Sequence, residues 1–385
     1  MQSEASADYR SNDQNPKLPQ RVLVRTVNLK LAVKAGKGMK ALVLKEPDGP
    51  LVAEEVPMPH PGPDEAVVRV RACGLGLTLV WNRKGRGSSG SESGDKLPRV
   101  IGHEIAGEVV ECGLGVRNFK VGDRVNVYYY LTCGDCRWCN VGREDLCDNH
   151  AGYVGRQIDG GLAEYVKLPV RNLCHIPGDI SYMDAAVTAD AIATPVHVLR
   201  ERAHLKSPET VMIVGAGGGV GIHMVQMAKV MGARVIAVDI SAEKLALAKE
   251  MGADEVVNAR EVGFDEEARR LTNGRGVDVL VDMVGLPDTL EASVRSVGKG
   301  GRVIFVGSYD NNAVLPLNPR ALSGEIYLTG SRYCSRQELI EAAELVSQGR
   351  IRPVINRICS LEEADEVLRS IERMELAGRA CVVVA

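Results

Sequence analysis

Along residues 195–334 the apolar positions come in short unbroken runs, TVMIV, RVIAV, VDVLVDMV and RVIFV, separated by stretches with helical spacing. An unbroken apolar run is the mark of a strand covered on both faces, so this region is predicted to form a parallel sheet with helices on either side. The segment ISAEKLALAKEMGAD reads as one crossover helix. Ser241 stands at its N-cap, Leu245, Ala248 and Met251 form the buried stripe, and Gly252 ends it. From 39 to about 190 the texture is different. EAVVRVRA alternates, Gly and Pro recur every ten residues or so, and the prediction is a β-rich domain. Residues 85–96, GRGSSGSESGDK, read as a flexible loop by composition. Residues 1–38 are polar, then basic, without a period, and are expected to be a flexible extension. The expected domains are therefore 39–191, a sheet-and-helix domain over 192–334, and a return of 335–385 to the first domain.

The chain has 385 residues, enough for two domains with sizeable cores. A net charge of −3 gives no reason to expect nucleic acid or a membrane surface as a partner. No apolar run reaches the roughly 18 residues that cross a bilayer, and the N-terminus lacks the apolar core of a secretory signal. Six of the ten cysteines are scattered singly, at 73, 112, 174, 334, 359 and 381. That is no disulfide framework, and the expected location is a reducing cytoplasm.

Chemistry enters first at TVMIVGAGGGVGIHMVQMAK, a strand, a glycine turn and a helix. Ala216, Gly217, Gly218, Gly219, Val220 and Gly221 let backbone approach a pyrophosphate, and the helix start offers free N–H groups. The next strand ends in Asp239, where a carboxylate can accept both ribose hydroxyls and repel a 2′-phosphate. NAD is expected over NADP. Lys244, one turn into the following helix, is a candidate flank of the ribose.

Cys133, Cys136, Cys139 and Cys147 have the spacing C-x2-C-x2-C-x7-C. Four thiolates so close suit one tetrahedral zinc with every position filled, a structural site that leaves no room for substrate. The other occupancies of such a cluster are an iron–sulfur centre, two disulfides or free thiols.

With these residues in view, the chain resembles the zinc-type alcohol dehydrogenases of the medium-chain dehydrogenase/reductase superfamily. The resemblance rests on GHEIAGEVV (102–110), VGDRV (121–125), the cysteine lobe, GGLAEYV (160–166), the glycine turn and the terminal GRACVVV. It implies an α/β architecture, with a GroES-like β-rich catalytic domain plus a Rossmann doubly wound parallel sheet and the active site between them. It also implies a second zinc. The matching positions for its ligands are His103 with Glu104 beside it, and Asp190. Thr78 matches the family's proton-relay hydroxyl, and Arg332 lies where the family approaches the cofactor. Homodimers or homotetramers through the sheet edge near 326–329 are the implied assembly.

The chain departs from that pattern where the metal chemistry is densest. The position of the first zinc-ligand cysteine is Gly76, and two relay positions are Leu79 and Trp81. Without a thiolate at 76 the second zinc is uncertain, and Cys73 should point elsewhere. On this reading Thr78 and His103 bind the reacting oxygen, Asp190 orients His103, and Leu79 and Trp81 line an apolar cleft. Gly76→Cys is expected to restore the metal if His103 and Asp190 are correctly placed. Arg156 and Gln157 are candidates for substrate contact. The expected activity is hydride transfer between NAD(H) and an alcohol, ketone or aldehyde. The alternatives are reduction of an α,β-unsaturated carbonyl compound, and a dinucleotide-binding sensor without catalysis.

Overall fold

The computed structural model describes residues 38–85, 96–307, 314 and 319–384. The expected extension over 1–38 therefore falls, apart from Gly38, outside the described residues, as does most of the loop over 85–96.

The apolar runs become a six-stranded sheet, all parallel. In chain order the strands are Thr210–Val214, Arg234–Asp239, Glu255–Asn258, Val277–Asp282, Val297–Phe305 and Tyr327–Gly330. Across the sheet they lie third, second, first, fourth, fifth, sixth. The order reverses beside the first strand, and it is outside the carboxyl ends of the strands at such a switch point that α/β folds bind ligands. The glycine turn sits there, between Thr210–Val214 and the helix Gly221–Val230. The crossover helix is Ala242–Glu250, and the Ser241 hydroxyl accepts from the Lys244 N–H at its start. Leu245 and Ala248 are buried beneath it, and Gly252 leaves it at a φ of +107°. The expected cap, the stop and the Leu245–Ala248 part of the stripe hold, because each depends on neighbours within two turns, while Met251 is half-buried at the C-cap.

The β-rich part builds a seven-stranded sheet around Glu65–Leu75, which pairs antiparallel with Glu104–Cys112, Tyr165–Pro169 and Arg379–Val383. The last pairing brings the chain's end back to the first domain, and Ile355–Cys359 extends the sheet beside it. Among the described residues no helix is long and apolar enough to cross a membrane.

Two contacts fasten the returning segment to the Rossmann turn. Gly378 N–H donates to Gly217 O at 3.0 Å, and Val354 N–H donates to His223 Nε2 at 2.9 Å. Since Nε2 accepts, the proton sits on Nδ1, which donates to Gly219 O at 2.7 Å. Burial holds His223 down at about 4. Its folded value lies below its unfolded one, so the unfolded chain takes up a proton first as the pH falls. Stability should therefore drop between pH 6.5 and 4, by about 3 kcal/mol from this one group. Denaturant midpoints across that window test this, and His223→Gln should flatten the slope.

Candidate functional site

Local sequence places the dinucleotide end of the site. A Cβ on Gly221 would run into the carbonyl of Gly215, and one on Gly217 into the Lys244 stem, so both glycines allow close packing. Gly218 is different: the nearest atom to a Cβ there is Gly215 O at 3.5 Å, which leaves its backbone open to an approaching phosphate. Ala216 is buried, and Val220 caps the helix that follows. Asp239 is buried and firmly held. Its Oδ2 accepts from Gly217 N–H at 3.0 Å, and its Oδ1 from Ile240 N–H at 2.8 Å and Ser241 N–H at 3.3 Å. A carboxylate has about four acceptor positions, so one remains for a ribose hydroxyl. These residues fit a dinucleotide. Lys244 does not stand free beside Asp239, since its ammonium donates to Met374 O at 2.9 Å.

The cysteine lobe has the geometry of a closed metal site. Its sulfurs stand 3.5 Å apart for Cys147 and Cys133, 3.6 Å for Cys136 and Cys139, and 3.9 Å for Cys133–Cys139 and Cys136–Cys147. A tetrahedral zinc with bonds of about 2.3 Å requires sulfur–sulfur edges of about 3.8 Å. No pair approaches the bond length of a disulfide, about 2.0 Å. The backbone N–H of Cys139 helps hold the Cys136 thiol down at about 6. Residues and spacing fit one zinc held by four thiolates.

The second cluster lies where the two domains meet. His103 and Glu104 open the strand Glu104–Cys112, just after Gly102 at a φ of +110°. Asp190 comes from a single wide turn, Thr188–Ile192, inside a longer helical stretch; such π-turns often mark functional positions. His103 Nε2 stands 3.5 Å from Asp190 Oδ2 and 3.9 Å from Glu104 Oε1. Thr194 Oγ1 donates to Asp190 Oδ1 at 2.8 Å and fixes that carboxylate. All three residues are buried, and His103 Nδ1 has no hydrogen-bond partner. Thr78 is half-buried in the first turn of the helix Leu77–Arg83.

Sequence reasoning missed the residue that ties this cluster together. Arg379 Nε donates to Glu104 Oε2 at 3.2 Å, its Nη2 bonds Glu104 Oε1, and Nη2 stands 3.5 Å from Asp190 Oδ2. Its Nη1 lies 2.6 Å from where a Cβ on Gly219 would be. One guanidinium thus touches both the glycine turn and the carboxylates. The only available signal was an arginine in the terminal GRACVVV, and nothing local says what it faces.

Also missed was an aromatic wall. Tyr129 packs on His103 with ring centres 4.6 Å apart and on Tyr333 at 4.0 Å, while Tyr130 meets Tyr153 at 4.9 Å. Tyr333 holds a φ of +52°, costly for a bulky residue, and its hydroxyl donates to Ala189 O at 2.8 Å beside Asp190. The hydroxyl of Tyr130 is buried without a partner.

Arg332, expected near the cofactor, has its guanidinium carbon over Tyr153 at 5.1 Å and Tyr130 at 5.5 Å. Other expectations need correcting. Leu79 does not line the cleft; it is fully buried in the main apolar core, because Thr78 and Trp81 take the half-exposed helix face. Arg156 is buried, with its carbonyl accepting from Arg99 at 2.8 Å. Gln157 braces its own loop, accepting from Tyr153 N–H at 2.8 Å. Cys73 has its sulfur beside Gly102 and Gly161 and is not among the side chains whose ligand atoms converge with His103. Glu104, a candidate metal ligand, has both oxygens on Arg379. A Cβ at Gly76 would fall 2.2–2.3 Å from that guanidinium, so the side chain of Gly76→Cys would have to displace it.

Comparison with known proteins agrees with this layout. Residues 62–178 match the alcohol dehydrogenase GroES-like domain, and residues 219–348 match the zinc-binding dehydrogenase domain. An NAD-dependent alcohol dehydrogenase of Sulfolobus acidocaldarius is 36% identical over 90% of this chain and 100% of its own. An acryloyl-coenzyme A reductase of Sulfurisphaera tokodaii is 31% identical over 89% of this chain and 99% of its own. The crystal structure of the alcohol dehydrogenase of Aeropyrum pernix superposes with a TM-score of 0.82 at 35% identity, covering 89% of this chain and 99% of that one. With both domains matched and relatives this similar over almost their whole lengths, the chain belongs to the zinc-type alcohol dehydrogenases of the medium-chain superfamily, a family of oxidoreductases.

Proposed function

We propose that the protein is an NAD(H)-dependent oxidoreductase that interconverts an alcohol and a ketone or aldehyde in the cleft between its domains. The observation that carries this reading is Arg379. Because one guanidinium meets both Gly219 and the Glu104–Asp190 pair, a dinucleotide on the turn and the His103 imidazole share one cleft. When bound, the cofactor supplies or accepts hydride at its nicotinamide ring.

The chain's own residues would do the rest. Asp239 holds the adenosine ribose, and the 216–221 turn receives the pyrophosphate. Thr78 and His103 donate hydrogen bonds to the substrate oxygen and hold its proton, while Asp190, fixed by Thr194, orients the imidazole. The tyrosines around His103 exclude water and strengthen those bonds. Cys133, Cys136, Cys139 and Cys147 would hold one zinc, which stiffens the lobe that follows Tyr128–Tyr130 along the chain. The edge strand Tyr327–Gly330, with Tyr327 exposed, is where a second copy would extend the sheet into a dimer or tetramer. The scattered cysteines favour the cytoplasm.

A second reading is reduction of an α,β-unsaturated carbonyl compound. Gly76 favours it, because a conjugated double bond needs less polarisation of its oxygen than a simple ketone. The acryloyl-coenzyme A reductases among the relatives point the same way.

The test is a screen for NADH consumption with ketones, aldehydes and enones. Turnover on ketones or aldehydes supports the first reading and turnover on enones alone the second. No turnover on any of them overturns both and leaves a dinucleotide-binding sensor. In Asp239→Asn, which keeps an acceptor but loses the charge, preference for NAD over NADP should fall about ten-fold or more. An unchanged ratio of kcat/KM values would remove Asp239 from cofactor selection.

A further inference from the structure

We propose that the Arg379 guanidinium is the fixed cation of the cleft, standing in the space that a metal ligand at residue 76 would need, so that no second metal ion binds at His103. This deepens the reading of the cleft as the reaction site and rests on it.

The fit of a second zinc fails on this structure's own geometry. A catalytic zinc takes three protein ligands and keeps one open position. The side chains that converge here are His103, Glu104 and Asp190, with ligand atoms within 4.8 Å of one another. Distance alone would admit an ion. Both oxygens of Glu104, however, already accept from Arg379, so that carboxylate would reach an ion only while sharing its charge with the guanidinium or after releasing it. The fourth contributor in the family pattern is residue 76. A Cβ on Gly76 would fall 2.2–2.3 Å from Cζ and both terminal nitrogens of Arg379, so a side chain there would have to push the guanidinium aside. Glycine is the residue that lets the guanidinium in.

Charge agrees with geometry. Arg379 is buried, and an arginine guanidinium keeps its charge at neutral pH. Against the carboxylates of Glu104 and Asp190 it supplies the positive charge that a metal would otherwise bring. Its planar fork matches Glu104 bidentately, a geometry that lysine cannot reproduce. A divalent ion between His103 and Asp190 would sit beside this charge in a site sealed from water, where repulsion is poorly screened. The reacting oxygen is then polarised by hydrogen bonds alone, which suits activated carbonyls and conjugated double bonds.

Metal content of the full chain tests this. Wild type, Gly76→Cys, and Gly76→Cys with Arg379→Leu are each exposed to excess zinc or cobalt, passed through gel filtration and analysed. Wild type and the single variant should retain one ion per chain, in the cysteine lobe. The double variant should retain two and, with cobalt, show added thiolate-to-metal absorption. Because Arg379→Leu strands the Glu104 carboxylate, a triple variant with Glu104→Gln guards against misfolding and should also retain two. Two ions in wild type or in Gly76→Cys would overturn the proposal, as would a folded double or triple variant that stays at one. The count needs no turnover. One ion per chain in an enzyme that consumes no NADH would sink the proposed activity and leave this inference standing.

Discussion

Cys136→Ser should release the ion from the cysteine lobe and unfold residues 131–149. Zinc per chain should fall from about one to near zero, and a protease should cut the lobe at once. The expected size follows from the donor geometry. Four sulfurs at 3.5–3.9 Å match a tetrahedral zinc, and a site closed in this way contributes on the order of 10 kcal/mol to local folding. With one ligand gone, the others cluster around nothing, and burial raises the thiols of Cys139 and Cys147 above the usual range. The damage should travel inward, since Arg171 bonds the carbonyls of Thr132 and Cys133, and Tyr128 and Tyr130 lie just upstream. Activity should fall with the lobe. Equal zinc and equal protease resistance in the variant would show that the lobe holds itself without metal.

His103→Gln should leave a folded protein that binds NADH normally but turns over about 10²–10⁴-fold more slowly. Glutamine keeps a polar end of similar reach, but it cannot take and return a proton. The imidazole lies at the junction of Asp190, Glu104 and the Tyr129 ring, and it does not touch the glycine turn. The loss should therefore appear in kcat, with the NADH dissociation constant unchanged. Turnover within about threefold of wild type would demote the His103–Asp190 pair to a brace between domains.

How much of this could be read along the chain varies by residue. Unbroken apolar runs announced the parallel strands, because a strand covered on both faces needs apolar residues at every position. Ser241 as a cap and Gly252 as a stop were legible because a helix end is settled by a few neighbouring backbone groups. The four cysteines were legible because their partners lie within fifteen positions of one another. Asp239 was legible as the last residue of the second Rossmann strand.

Arg379 was not, and the reason is distance along the chain. It meets Glu104 across 275 positions, through a strand pairing that returns the chain's end to its first domain. No periodicity encodes which buried arginine faces which buried carboxylate. The tyrosine wall is similar, since Tyr129 and Tyr333 meet only because the last Rossmann strand ends against the β-rich domain. Leu79 was misplaced because its neighbours say only that it is on a helix, while the packed sheet decides which face is turned inward. The sequence alone determined the two domain types, the four-thiolate lobe and the dinucleotide turn, each built from contacts within a few turns of chain. Only the tertiary structure decided what stands beside Gly76, because a guanidinium and a missing Cβ share that space by virtue of layers packed from opposite ends of the chain.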